Sequence, residues 1–109
     1  MMPLTRDYQE TLYDQLQRRP GFRRELLREA MNCMLEGDVD TGKSVLRDFV
    51  NGTIGFPKLA AEMQRSPKSL MRMLSATGNP QAKNLFELVA ILQRHEGVKL
   101  ELRSVKAAA

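Results

Sequence analysis

Apolar residues recur at helical spacing along most of the chain. Leu4, Tyr8, Leu12 and Leu16 step by four, one stripe of a helix over 5–18 with Thr5 as its N-cap. Pro20–Gly21 is expected to end it. Phe22, Leu26, Leu27, Ala30, Met31 and Met34 repeat the pattern over 22–36, and Gly37 is a natural stop. A third helix starts at Asp38 or Asp40, carries Val39, Leu46, Phe49 and Val50, and ends at Asn51–Gly52. A short fourth helix over 56–64 carries Leu59, Ala60 and Met63. After a polar break at Gln64–Arg65, a fifth covers 67–75 with Leu70, Met73 and Leu74 on its inner face. The run Ala76–Thr77–Gly78–Asn79–Pro80 is the clearest break in the chain. A last helix spans 81–95, where Leu85, Phe86, Leu88, Val89, Ile91 and Leu92 form an arc wider than one neighbour requires. Val98, Leu100 and Leu102 then alternate with charged residues over 98–103, the period of a strand. That segment either pairs across a dimer or is an extended tail.

The pattern predicts an all-α fold, a bundle of five to six helices containing a helix-turn-helix, with a short C-terminal strand as the one β feature. A length of 109 residues suits one domain. Within it, 1–37 reads as an N-terminal helical extension, 38–97 as the helix-turn-helix core and 98–109 as a strand or tail. Aromatics are scarce and Trp is absent, so the core is built from Leu, Val, Met and Ala, a helical composition. No apolar run is long enough to span a membrane. The start MMPLTRDYQE lacks the apolar region of a secretion signal, and a single cysteine excludes an internal disulfide framework. Both features lead to the expectation of a cytoplasmic protein.

Residues 56–80, FPKLAAEMQRSPKSLMRMLSATGNP, carry the most functional information. Ser66 is placed to cap the second short helix. Pro67 fits its first position, where a missing N–H costs nothing. Lys68, Ser69 and Arg72 fall on the face opposite Leu70, Met73 and Leu74, with Met71 at its edge, where it could touch a thymine methyl or a partner surface. A short helix with an apolar back and a basic, hydrogen-bonding front suits a DNA major groove. The charge distribution fits. The net charge is +4, yet residues 1–36 balance six Lys/Arg against six Asp/Glu, whereas 56–109 hold nine against four. Phosphate binding needs cations there. A small net charge also serves as a solubility device, and charge alone does not separate the two.

Other features carry less chemistry. Residues 37–44, GDVDTGKS, match the phosphate-loop pattern letter for letter, but that motif works only between a strand and a helix. Here the preceding segment is helical, and Asp38 and Asp40 would repel phosphate. The expected roles are a helix-stop Gly37 and a helix-start aspartate. His95, the one histidine, is expected to meet the terminal carbonyls of its helix, and Cys33 to be a small core residue. No carboxylate pair, metal-ligand cluster or nucleophile–base arrangement is visible. The expectation is therefore a non-enzyme without cofactor or metal. Arg18, Arg19, Arg23, Arg24 and Arg28 lie close together in the first two helices. Those helices either complete the core or bind a partner.

Three stretches together carry a family resemblance: LREAM…LEGDVDTGKSVLRDFVNGTIGFPKLAAEM, then SPKSLMRML, then GNPQAKNLFELVAIL. They resemble the addiction-module antidote proteins, antitoxin-type members of the lambda-repressor-like helix-turn-helix superfamily. The resemblance runs from about Leu4 to Arg103. Its most specific pieces are SPKSLMRML followed by GNP, and the GD-x-x-T-G-K-x-x-L-R-D segment. The resemblance implies a cytoplasmic dimer that binds double-stranded DNA, represses its own operon and neutralises a small RelE-like ribonuclease toxin. It makes 67–75 the recognition helix. Lys68, Ser69 and Arg72 would face bases or phosphates, Ser66, Pro67 and Met71 would flank them, and Lys58 would lie near the DNA backbone. The surplus apolar surface at Leu88 and Ile91 and the segment 98–103 would be candidates for the dimer interface. This chain departs from many relatives at Gln64, where they have glycine, and at Arg65, where they have an aliphatic residue. A stand-alone repressor and a non-enzymatic protein-interaction module are the alternative functions.

Overall fold

The computed structural model describes residues 2–108, with side chains from Asp7 onward. The described chain is all-helical and contains six helices: α1 Met2–Arg18, α2 Pro20–Leu35, α3 Val39–Gly52, α4 Phe56–Met63, α5 Pro67–Met73 and α6 Ala82–Glu96. Helix α1 begins ahead of Thr5, so Thr5 is not its cap, and the side chain of Leu4 lies outside the described residues. Pro20 opens α2 instead of closing α1. Only Arg19 (φ −123°, ψ 98°) breaks the two apart, and proline is well placed at a first helical position. Gly37 (φ 89°) ends the α2 turn as expected. Asp38, and not Asp40, caps α3, its carboxylate accepting the Thr41 N–H at 3.2 Å.

One hydrophobic cluster joins all six helices. Leu12 and Leu16 of α1 and Leu27 and Ala30 of α2 pack with Leu46, Phe49 and Val50 of α3. Phe56, Leu59, Ala60, Met63, Leu70, Leu74 and the inner face of α6 complete it. The first two helices thus share the core of the helix-turn-helix. Helix α2 lies close on α3 because Gly42 has no side chain: a Cβ there would stand 2.6 Å from Met34 Cγ and 3.0 Å from the Ala30 carbonyl. A second tie is electrostatic. Arg23 of α2 donates from Nε to both carboxylate oxygens of Glu96 at 2.8 and 3.0 Å, and from Nη1 to the Leu16 carbonyl at 2.8 Å.

Several stripe residues sit elsewhere than their spacing implied. Tyr8, Val39 and Phe86 are exposed, because each stripe overruns the width of the neighbour it meets. Leu88 and Ile91 are fully enclosed within the chain, so neither is available to a dimer interface. Apart from Phe86, the wide arc of α6 is covered because α6 is packed against both α4 and α2. Residues 98–103 form no strand. Leu100 turns back onto the core and its N–H donates to the Gln93 side-chain oxygen Oε1 at 2.8 Å, while Leu102 is exposed. His95 meets the Glu62 carboxylate of α4 through Nε2, not the carbonyls of its own helix. Those carbonyls are met by the C-terminal turn, where the Gly97 N–H bonds to the Arg94 carbonyl and the Val98 N–H to the Gln93 carbonyl. Cys33 is buried, and its thiol donates to Glu29 at 3.7 Å. Burial first, and the Glu29 charge second, push that thiol up from its ordinary value, so it stays protonated.

Candidate nucleic-acid interface

Helices α4 and α5 are joined by a tight turn. Gln64 sits in the left-handed region (φ 55°, ψ 45°), the conformation for which glycine is best suited. Its N–H reaches the Ala61 carbonyl at 3.2 Å, and the next N–H, that of Arg65, closes the helix on the Ala60 carbonyl at 3.0 Å. Arg65, on the surface instead of in the core, donates from Nη2 to Asn84 of α6 at 2.7 Å. The turn is thereby pinned to the start of α6. Ser66 caps α5 as anticipated, its hydroxyl oxygen accepting the Ser69 N–H at 3.1 Å, and Pro67 follows at the first position.

Helix α5 is bound to the core by Leu70 and Leu74, both with no exposed surface. Lys68, Met71 and Arg72 face outward and Ser69 is half-buried. The structure therefore gathers Ser66, Pro67, Lys68, Ser69, Met71 and Arg72 on one capped helix. Lys58 stands apart. It lies in the first turn of α4 and borders a groove of about 350 Å³ walled also by Gln17, Thr53, His95 and Glu96.

Among the described residues, the side chains of Lys58, Lys68 and Arg72 make no hydrogen bond or ion pair within the chain. The cations of the N-terminal half are mostly committed. Arg18 pairs with Asp14, Arg23 with Glu96 and Arg28 with Glu25, while Arg19 donates to Gln15. Lys68 and Arg72 thus leave uncompensated charge on the outer face of α5, as Arg24 does on α2, Lys58 on α4 and Lys83 and Arg94 on α6. No group of three or more His, Cys, Asp or Glu among the described residues is arranged to hold a metal, and none of their helices is long and apolar enough to cross a membrane.

Two residues that sequence reasoning passed over act directly beneath α5. Lys43 is buried, and its ammonium donates to the Gly78 carbonyl at 2.5 Å. Arg47, one turn along α3, donates from Nη1 to the Leu74 carbonyl at 2.9 Å. The phosphate-loop lookalike is accordingly the capped first half of α3, not a loop. A signal was present: 43, 46 and 50 share one helical stripe, so the lysine stood at a core position and needed a buried partner. No protein-family model, curated protein or solved structure matches this chain.

Proposed function

We propose that this protein is a sequence-specific DNA-binding transcriptional regulator of antitoxin type, acting in the cytoplasm as a two-fold dimer. The observation that carries the reading is helix α5 itself. It is capped by Ser66, anchored by Leu70 and Leu74, and presents Lys68 and Arg72 one turn apart with no side-chain partner among the described residues. Arginine or lysine gripping a guanine edge is worth about 1–3 kcal/mol of discrimination. One seven-residue helix reads few base pairs, so two half-sites roughly 34 Å apart supply the rest. Arg72→Ala is expected to stay folded and to weaken binding to the promoter of its own gene by about 10-fold or more. Gel shift measures this, with light scattering giving the mass of the bound species. A folded Arg72→Ala protein that binds as tightly as wild type removes α5 from the recognition role.

The antitoxin part rests on the sequence resemblance and on the charged outer faces of α1 and α2. Those helices cannot be tested by deletion, because loss of Leu12, Leu16, Leu27 and Ala30 opens the common core. Co-expression tests the idea without cutting the chain. The product of the adjacent reading frame is expected to arrest growth alone and to be harmless beside this protein. A neighbour that is neither toxic nor bound by this chain leaves a stand-alone repressor.

A further inference from the structure

We infer that Lys43 and Arg47 are positioning residues for the recognition helix, holding its C-terminal end from beneath without touching DNA; this rests on the DNA-binding reading of α5. The two cations lie four residues apart on α3 and take hold of consecutive parts of the same segment. Arg47 binds the carbonyl of Leu74, one of the carbonyls that α5 leaves unpaired at its end. Lys43 binds the carbonyl of Gly78 in the following loop, with Asp40 at 3.5 Å as its second neighbour. The Arg47 charge sits where a helix C-terminus favours a cation.

A helix of seven residues does not hold its own shape in water. Its first turn is set by the Ser66 cap and the α4 turn. Its last turn has these two side chains. The clamp also reaches Arg72, because Gly78 is packed directly on the Arg72 carbonyl and, without a Cβ, approaches it closely. Movement of Gly78 is therefore movement of the backbone that aims Arg72. A buried ammonium tolerates little freedom, since leaving its carbonyl means losing its main compensation. Lys43 thus admits one arrangement of the loop. The lysine within the GDVDTGKS stretch has a task unrelated to phosphate binding.

Lys43→Met keeps the apolar stem and removes the charge. The test compares wild type, Lys43→Met and Arg72→Ala on a duplex spanning the promoter of the protein's own gene, over a range of salt. Amide hydrogen exchange is followed at Ser75 and Gly78, whose N–H groups bond to the Arg72 and Ser75 carbonyls. The expected result for Lys43→Met is unchanged helix content, faster exchange at both amides and affinity lower by about tenfold. The slope of affinity against salt stays at the wild-type value, because no phosphate contact is lost, whereas Arg72→Ala lowers it if Arg72 grips a phosphate. Unchanged affinity in Lys43→Met overturns the inference, and so does a salt slope that falls, since Lys43 would then be a direct contact. If Lys43→Met does not fold, Arg47→Gln is read in the same way at Ser75. If wild type binds no promoter DNA, the DNA-binding reading fails, while unchanged exchange would separately show that no clamp exists.

Discussion

Gly78→Ala is expected to abolish promoter binding and to lower stability by about 3 kcal/mol, the upper end of what overpacking costs. A Cβ at this position would fall inside the van der Waals shell of the Arg72 carbonyl oxygen and 2.7 Å from that of Met73. Both obstacles are backbone atoms in the last turn of α5, so neither can rotate away. The loop cannot retreat freely either, because Lys43 holds the Gly78 carbonyl at 2.5 Å. Either the Lys43 contact or the end of α5 must give. Urea unfolding of the variant beside wild type measures the first effect and gel shift the second. A wild-type midpoint with intact binding would mean that the loop accommodates a side chain and that the close approach has no role.

Arg23→Met is expected to cost about 3–5 kcal/mol, the penalty for leaving one member of a buried pair without its partner. The Glu96 side chain is 8% exposed and that of Arg23 23%, so water does little to screen the charge left behind. The Leu16 carbonyl near the end of α1 would lose its donor in the same step. The consequence extends beyond one pair, since Arg23 ties α1 and α2 to the end of α6. Replacing both members, Arg23→Met with Glu96→Leu, should restore most of the loss, because an apolar pair of similar volume often matches a buried ion pair. Denaturant midpoints of the two single variants and the double variant provide the check. Additive losses would show that the two residues act independently.

Helix α5 was readable residue by residue. Ser66, Pro67 and the spacing of Leu70 and Leu74 are local signals: a cap, a proline at a first position and a period of 3.6 all act within one helical turn. The outward placement of Lys68, Met71 and Arg72 follows from that period alone. The break at 76–80 was legible too, but for a different reason from the one that matters. Gly78 reads as a turn-forming residue, yet its φ is not positive; it is needed because two carbonyls of α5 stand where a Cβ would be. The strand signal at 98–103 failed because alternation describes only which residues are apolar. With no neighbouring edge, Leu100 folded back onto the core and bonded to the Gln93 side chain.

By itself the sequence determined an all-helical chain of five to six helices, the Ser66 cap, the stop at Gly37 and the break at 76–80, the surplus of cations in the C-terminal half and the face that α5 turns outward. Each depends on neighbours within a few residues, and local periodicity and turn chemistry report those. Only the tertiary structure decided which apolar faces were covered, which cations were free and what supports α5. Leu88 and Ile91 are enclosed because α2 and α4 both close on α6; Phe86, in the same arc, is left outside. Arg23 is committed to a residue far along the chain, whereas Arg72 has no side-chain partner among the described residues. Lys43 meets Gly78 with α4 and α5 lying between them in the chain. Contacts of that kind are made by the packing of whole elements, and no pattern within a single helix encodes where its neighbour's carbonyl will stand.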